Sequence, residues 1–313
     1  MRKSPTNLAA SVRQRLLNLS KERKEAFDLV LTQYANERFL YRLSSSKFRS
    51  QFVLKGAALF VAWTGRSHRP TRDLDLLGYG DPSTDLLAQS MKSICEEKVE
   101  PDGLEFDSES VQASEIREER EYGGIRVQMV AALEAARISL QIDVGFGDVI
   151  VPSAQEIAYP VLLDFPAPWI KGYTQESVIA EKLEAIVALG LANSRMKDFY
   201  DLCAFANGFS FKGEILVEAI QATFARRQTP IPREPPALSE EFYGNQEKVT
   251  QWLAFLRRSH LRPEEKDLKA AVMEIRHFLM PPLEAIALDS KFNLGWQKGG
   301  PWISSWRSGD SIP

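Results

Sequence analysis

The chain has 313 residues, 44% of them hydrophobic, and a formal net charge of −3; that supplies a core for one large domain or two ordinary ones and excludes nucleic-acid binding by whole-molecule attraction. Two cysteines without metal-ligand spacing, Cys95 and Cys203, and three scattered histidines, His68, His260 and His277, exclude a disulfide framework and a His-rich zinc site. No apolar run reaches 18 residues and the Met1–Pro5 start lacks the apolar core of a signal peptide, so no membrane partner is expected and the expected compartment is the cytoplasm.

Residues 8–43 are rich in Leu, Glu, Lys and Arg, with Phe27, Val30, Leu31, Tyr34 and Phe39 at helical spacing, and predict two N-terminal helices within 1–45. A strand from Phe52, a turn at Gly56 and a short helix follow. The next strand carries Arg72-Asp-Leu-Asp-Leu-Leu77. Alternation puts Asp73 and Asp75 on one face of that strand and Leu74 and Leu76 on the other. Two carboxylates aimed at one point repel unless a cation sits between them, so the pair invites a divalent metal. The bland alternative is a solvated strand edge beside an ordinary Lys-Gly turn. Gly56 also offers backbone N–H groups to a phosphate at the start of the following helix.

Ser83–Glu97 predicts an amphipathic helix with a Ser cap and a stripe of Leu86, Leu87, Met91 and Ile94. Residues 104–150 read mainly as strands, most clearly at Ile138–Phe146, where strict alternation turns Gln141 and Asp143 away from the apolar face. Asp143 is either a third carboxylate or a single exposed acid before a turn. If its strand lies beside that of Asp73 and Asp75, three acids converge and could hold two metal ions.

Prolines at 152, 160, 166 and 168 predict an irregular linker and a boundary near residue 165, separating a segment 46–165 from a helical segment 166–295 and a tail 296–313. Thr174 caps a helix ending at Gly190. Lys182 falls within its apolar cluster, so it either snorkels outward or meets an anion, a phosphate or a carboxylate. In Asn193–Gly208, Asp198 and Asp201 share a side, and Arg195 and Lys197 stand at the helix start, where cations oppose the dipole and phosphate would welcome them. The alternative is an ion-pair network in which Asp198 orients Lys182. Further helices are expected at Gln246–Arg257 and at about 263–279, and the three tail tryptophans either mark a partner surface or pack back on the domain. Basic clusters at Arg66, His68, Arg69 and Arg72, and at Arg226, Arg227, Arg257 and Arg258, are candidate RNA contacts or ordinary solvated charge.

Taken together, Lys55-Gly-Ala-Ala-Leu59, Arg72-Asp-Leu-Asp75, Leu140-Gln-Ile-Asp143, Glu181-Lys182 and Arg195-Met-Lys-Asp198-Phe-Tyr-Asp201 resemble, in order, the AbiEii/MenT family of nucleotidyltransferase-like toxins of toxin–antitoxin and phage-defence systems. The resemblance implies an α+β fold of the DNA polymerase β type: a nucleotidyltransferase domain with a small mixed sheet, followed by a mainly helical C-terminal domain. It implies a metal, Mg²⁺ or Mn²⁺, at Asp73 and Asp75 with Asp143 as a candidate third ligand. Lys55, Gly56, Ala57, Arg72, Lys182, Arg195 and Lys197 would attend the nucleotide, and Asp73, Asp75, Lys182 and Asp198 would be catalytic. Ala57 departs from the Gly or Ser often found there, so a hydroxyl contact is lost. The implied reaction is attack by an acceptor hydroxyl, a tRNA 3′-OH, on the α-phosphorus of an NTP, with Asp143 or Asp198 taking the proton; a cognate antitoxin is the implied partner. A small-molecule or protein acceptor, and a non-catalytic nucleotide- or RNA-binding module, remain as alternatives.

Overall fold

The computed structural model describes residues 7–116, 124–261 and 267–304, which divide into two compact units. The first runs to Gly147 and adds Gln155–Tyr173; the second is Asp148–Ala154 with the chain from Thr174 onward. The first unit holds α1 (Leu8–Arg23), α2 (Phe27–Ser45), β1 (Phe52–Lys55), α3 (Ala58–Thr64), β2 (Leu74–Gly78), α4 (Thr84–Cys95), β3 (Leu104–Ile116), β4 (Gly124–Leu133), β5 (Ala136–Phe146), β6 (Gln155–Ala158) and β7 (Trp169–Gly172).

Its strands form one mixed sheet in the order β3-β4-β5-β2-β1-β7-β6, with β2 parallel to β5 and β1 parallel to β7. Alternation assigns the faces. Leu74, Leu76, Ile125, Val127, Ile142 and Val144 are buried, and α1 and α2 pack on the sheet. In α4 the buried stripe is Leu87, Met91 and Ile94, spaced by four and three, whereas Leu86, one position off it, is exposed.

The expected linker is a correction: the Pro-rich stretch 152–173 contributes β6 and β7, two hydrogen-bonded strands of the main sheet. Its prolines at 160, 166 and 168 lie between the two strands, where they cost no ladder bonds. The loop is held by α2. Glu37 accepts from the Leu162 backbone N–H at 2.7 Å, and Arg38 donates to the Pro166 carbonyl at 2.7 Å. Burial, partly offset by Arg38, pushes the Glu37 carboxyl up to about 7.

The second unit contains α5 (Gln175–Leu189), α6 (Met196–Gly208), β8 (Phe211–Lys212), α7 (Gly213–Arg226), α8 (Glu240–Tyr243), α9 (Gln246–Arg258), α10 (Leu268–Ala287), β9 (Gly295–Trp296) and β10 (Trp302–Ile303). Thr174 caps α5 through the Ser177 N–H. The expected start of the last helix at about 263 lies outside the described residues, and α10 continues to Ala287, beyond the expected end at 279, through Pro281 and Pro282. Proline supplies no N–H, so Pro282 leaves the Phe278 carbonyl without its helical donor. Trp302 replaces it, donating its indole N–H to that carbonyl at 2.9 Å. Trp296 donates to the Ala206 carbonyl at 2.8 Å. Both tail tryptophans therefore pack back against Phe278; Trp306 lies outside the described residues. Cys95 and Cys203 are buried, and burial pushes the Cys95 thiol up to about 12.

Candidate active site

In the first unit, sheet register builds a row of charge that the sequence cannot reveal. Lys55 on β1 is directly opposite Asp75 on β2, Asp75 is opposite Asp143 on β5, and Asp143 is opposite Arg126 on β4. Residues directly opposite share a face, and adjacent strands lie about 4.8 Å apart. Two acids thus stand side by side, flanked by a base at each end. Asp73, two residues before Asp75 and at the entry of β2, is exposed on the same side.

Arg126 donates to Asp143 through both arms, Nε to Oδ1 at 2.9 Å and Nη2 to Oδ2 at 2.8 Å. The Gln141 amide is within 3.3 Å of Asp143 and also lies beside Arg126. The hydrogen bond to Asp143 leads in holding the Arg126 guanidinium above its ordinary pKa, against desolvation, and the charges of Asp143, Asp73 and Asp75 add to it.

Gly56 turns the chain at φ +73° between β1 and α3. A Cβ there would overlap the Asp75 carboxylate, coming within 2.8 Å of its Cγ. The absence of a side chain at Gly56 is what admits Asp75. Gly56→Ala should therefore cost roughly 2–4 kcal/mol, from the left-handed backbone and the overlap together, measured by denaturant unfolding; a loss below about 1 kcal/mol would mean that Asp75 yields freely. Ala57 follows in helical conformation ahead of α3, and Lys55 lies 5.7 Å from the Tyr173 ring centroid.

Among the described residues no group of three or more His, Cys, Asp or Glu side chains is placed to hold a metal. The strand of Asp143 does lie beside that of Asp75, and Asp143 is held there by Arg126. Asp73 and Asp75 remain as a hard-oxygen pair on one face, with room made at Gly56. That fits Mg²⁺, which takes one or two carboxylates and completes its shell with substrate phosphates and water. Arg72 lies beside the acids in sequence, yet its side chain pairs with Asp28 at 2.6 Å.

The second unit contains a buried ionic cluster. Lys182 Nζ lies 2.8 Å from Asp198 and 2.7 Å from Asp201, and the two carboxylates are essentially inaccessible. The anion that meets Lys182 within the fold is a carboxylate pair. Arg195 also reaches Asp198, at 2.9 Å, while Lys197 is exposed. Burial pushes the Asp198 pKa up, but the charges of Lys182 and Arg195 outweigh it and hold the group below its ordinary value.

A second cluster removes Arg227 from the candidate RNA contacts. It is bound to Asp148 at 2.9 Å and Glu184 at 2.8 Å, with Glu181 at 3.6 Å. Arg226, Arg257 and Arg258 are exposed, as is Arg66 in the first unit. No helix among the described residues is long and apolar enough to cross a membrane.

Sequence reasoning missed Arg126. The buried alternation of Ile125, Val127 and Met129 would have put it on the same face as Asp143, but only the β4–β5 register makes the two neighbours.

A family model described as nucleotidyl transferase AbiEii toxin, type IV TA system, matches residues 38–274. No curated protein sequence matches. Among solved structures, the nucleotidyltransferase toxin MenT4 from Mycobacterium tuberculosis H37Rv is similar at 19% identity with a TM-score of 0.51, covering 90% of this chain and 99% of that one. JHP933 from Helicobacter pylori is 16% identical with a TM-score of 0.47, covering 82% of this chain and 96% of that one. The likeness to MenT4 shows a shared fold, in accord with a nucleotidyltransferase domain of the DNA polymerase β type built on a mixed sheet.

Proposed function

The chain belongs to the AbiEii family of nucleotidyl transferase toxins of type IV toxin–antitoxin systems, and from that premise we propose that it transfers a nucleotide from an NTP to an RNA hydroxyl, the 3′ end of tRNA, under the control of a cognate antitoxin. The observation that carries this reading is the pair Asp73 and Asp75 on one sheet face, with Asp75 fitted against the Gly56 turn and opposite Lys55.

Each residue has a role that follows from its chemistry. Asp73 and Asp75 hold Mg²⁺ or Mn²⁺, which when bound supplies positive charge to the polyphosphate and the leaving pyrophosphate. Backbone N–H groups at Gly56 and Ala57 face phosphate oxygens, and Lys55 adds charge beside them. Arg72, now on Asp28, is assigned to the same phosphates. In the second unit, Lys182 is proposed to stabilise developing negative charge, with Arg195 and Lys197 adding to it. Asp198, buried and kept ionised by Lys182 and Arg195, is proposed to act as the acid that orients Lys182. Asp143 is the candidate for the acceptor's proton or for the metal, once it is released from Arg126. Exposed Arg66, Arg226, Arg257 and Arg258 are proposed RNA phosphate contacts, so acceptor binding should weaken steeply with salt.

The experiment is incubation of the protein with divalent cation, each α-labelled NTP in turn and total bacterial tRNA, with the RNA resolved by size. Label in tRNA with one NTP is the expected result. Label in a small molecule or in protein would replace the acceptor and keep the reaction, and no transfer with any NTP from folded protein would remove the proposal.

A further inference from the structure

We propose that Arg126 is an exchangeable counter-ion of the carboxylate centre: it holds Asp143 while no divalent cation is bound, and passes to nucleotide phosphate oxygens when metal and nucleotide arrive together. The inference rests on the reading of Asp73 and Asp75 as metal ligands. Its consequence is that free metal binds weakly and metal with nucleotide binds well.

The charge row sets the problem. Asp75 and Asp143 are neighbours on one face, with Asp73 two residues along the strand, and Arg126 stands at the end of the row opposite Lys55. The guanidinium feels all three acids, not Asp143 alone. It occupies both oxygens of Asp143, so that carboxylate is committed to Arg126 before any metal enters.

The pair is also built to open. Its side chains are 40% and 22% exposed, unlike the sealed Lys182–Asp201 pair, at 11% and 0%. Partial exposure lets the guanidinium leave Asp143 for another anion without crossing a sealed interior. A guanidinium fork fits phosphate as well as carboxylate, so the same two donors have a second partner of matching geometry once a triphosphate is present. Binding metal and nucleotide together conserves charge balance: the cation takes over the neutralisation of the acids, and Arg126 moves to the new anion.

Arg126→Gln and Arg126→Lys separate this from a purely structural cross-strand pair. Binding of Mn²⁺ to nucleotide-free protein, followed by the EPR signal of the free ion, should tighten on the order of tenfold in Arg126→Gln, because a unit positive charge near the site is removed. Arg126→Lys keeps the charge and should stay near wild type. The affinity for NTP with Mg²⁺ should fall several-fold in Arg126→Gln. Should the Gln variant fail to fold, wild-type protein labelled with ¹⁵N-arginine gives a second reading: Mg²⁺ with NTP should shift the Arg126 Nε–H resonance, assigned through Arg126→Lys, far more than NTP without metal does.

Unchanged or weaker Mn²⁺ binding in folded Arg126→Gln would overturn the exchange and leave the metal reading standing. An Arg126 resonance insensitive to metal and nucleotide would overturn it likewise. If wild type binds no Mn²⁺ with or without NTP, the metal reading falls and the exchange falls with it.

Discussion

Asp75→Ala should reduce nucleotidyl transfer by about 10³-fold or more, the equivalent of roughly 4 kcal/mol of charge stabilisation lost from the transition state. Asp75 is central because of where register puts it. It lies between Lys55 and Asp143, with Gly56 shaped around its carboxylate. Its removal leaves the exposed Asp73 as the one carboxylate of the pair, which weakens the hold on Mg²⁺ and on the phosphates it would orient. The fold should survive: Asp75 is half-buried, and losing it relieves repulsion with Asp143 while leaving Lys55 near water. The expected stability change is within about 1 kcal/mol, since partly exposed charges contribute little. Single-turnover transfer from α-labelled NTP, read beside a thermal melt, checks both halves. Full turnover by Asp75→Ala would remove the metal assignment, whereas lost activity with a lost melt would report only unfolding.

Lys182→Met is expected to act in the opposite way, through stability. Asp198 and Asp201 are 2% and 0% exposed in their side chains, and Lys182 is their shared cation. Taking away one partner of a buried pair leaves uncompensated charge, at a cost of about 3–5 kcal/mol. The pH dependence identifies the cause. In the wild type the Asp198 pKa is depressed, so its contribution is present above the unfolded value of 3.8 and is lost as pH falls through the folded value. Without Lys182, burial works against Arg195 alone and Asp201 has lost its cation. Carboxyl pKa values then rise, and the stability tied to them is present at acid pH and lost as pH increases. Urea unfolding at pH 4.5 and pH 7.5 should therefore show a smaller deficit at the lower pH. A deficit that is the same at both would point to lost packing of the lysine stem.

The sequence carried the elements whose signals are local. The Asp73/Asp75 face and the inward position of Lys182 follow from periodicity of two and of about 3.6, and the Gly56 turn and the Thr174 cap from residue type. The sequence allows the pairing of Lys182 with Asp198 as one of two readings, and in the fold Asp201 joins it. What could not be read depends on partners distant in the chain. Arg126 meets Asp143 across 17 residues by strand register. The Pro-rich stretch looked like a linker because prolines signal irregular backbone, while its place in the sheet depends on Glu37 and Arg38, more than 120 residues earlier. Arg227 looked like surface charge until three acids from two separate segments surrounded it.

The bond from Trp302 to the Phe278 carbonyl has a meaning for how this chain can change over evolutionary time. Pro282 creates the vacancy and the indole fills it, so the two positions share one constraint although 20 residues separate them. A descendant that loses Trp302 first carries a buried carbonyl without a donor; one that first replaces Pro282 regains the helical N–H and makes the indole dispensable. The permissive order of substitution is therefore proline before tryptophan, and the two sites should drift as a pair.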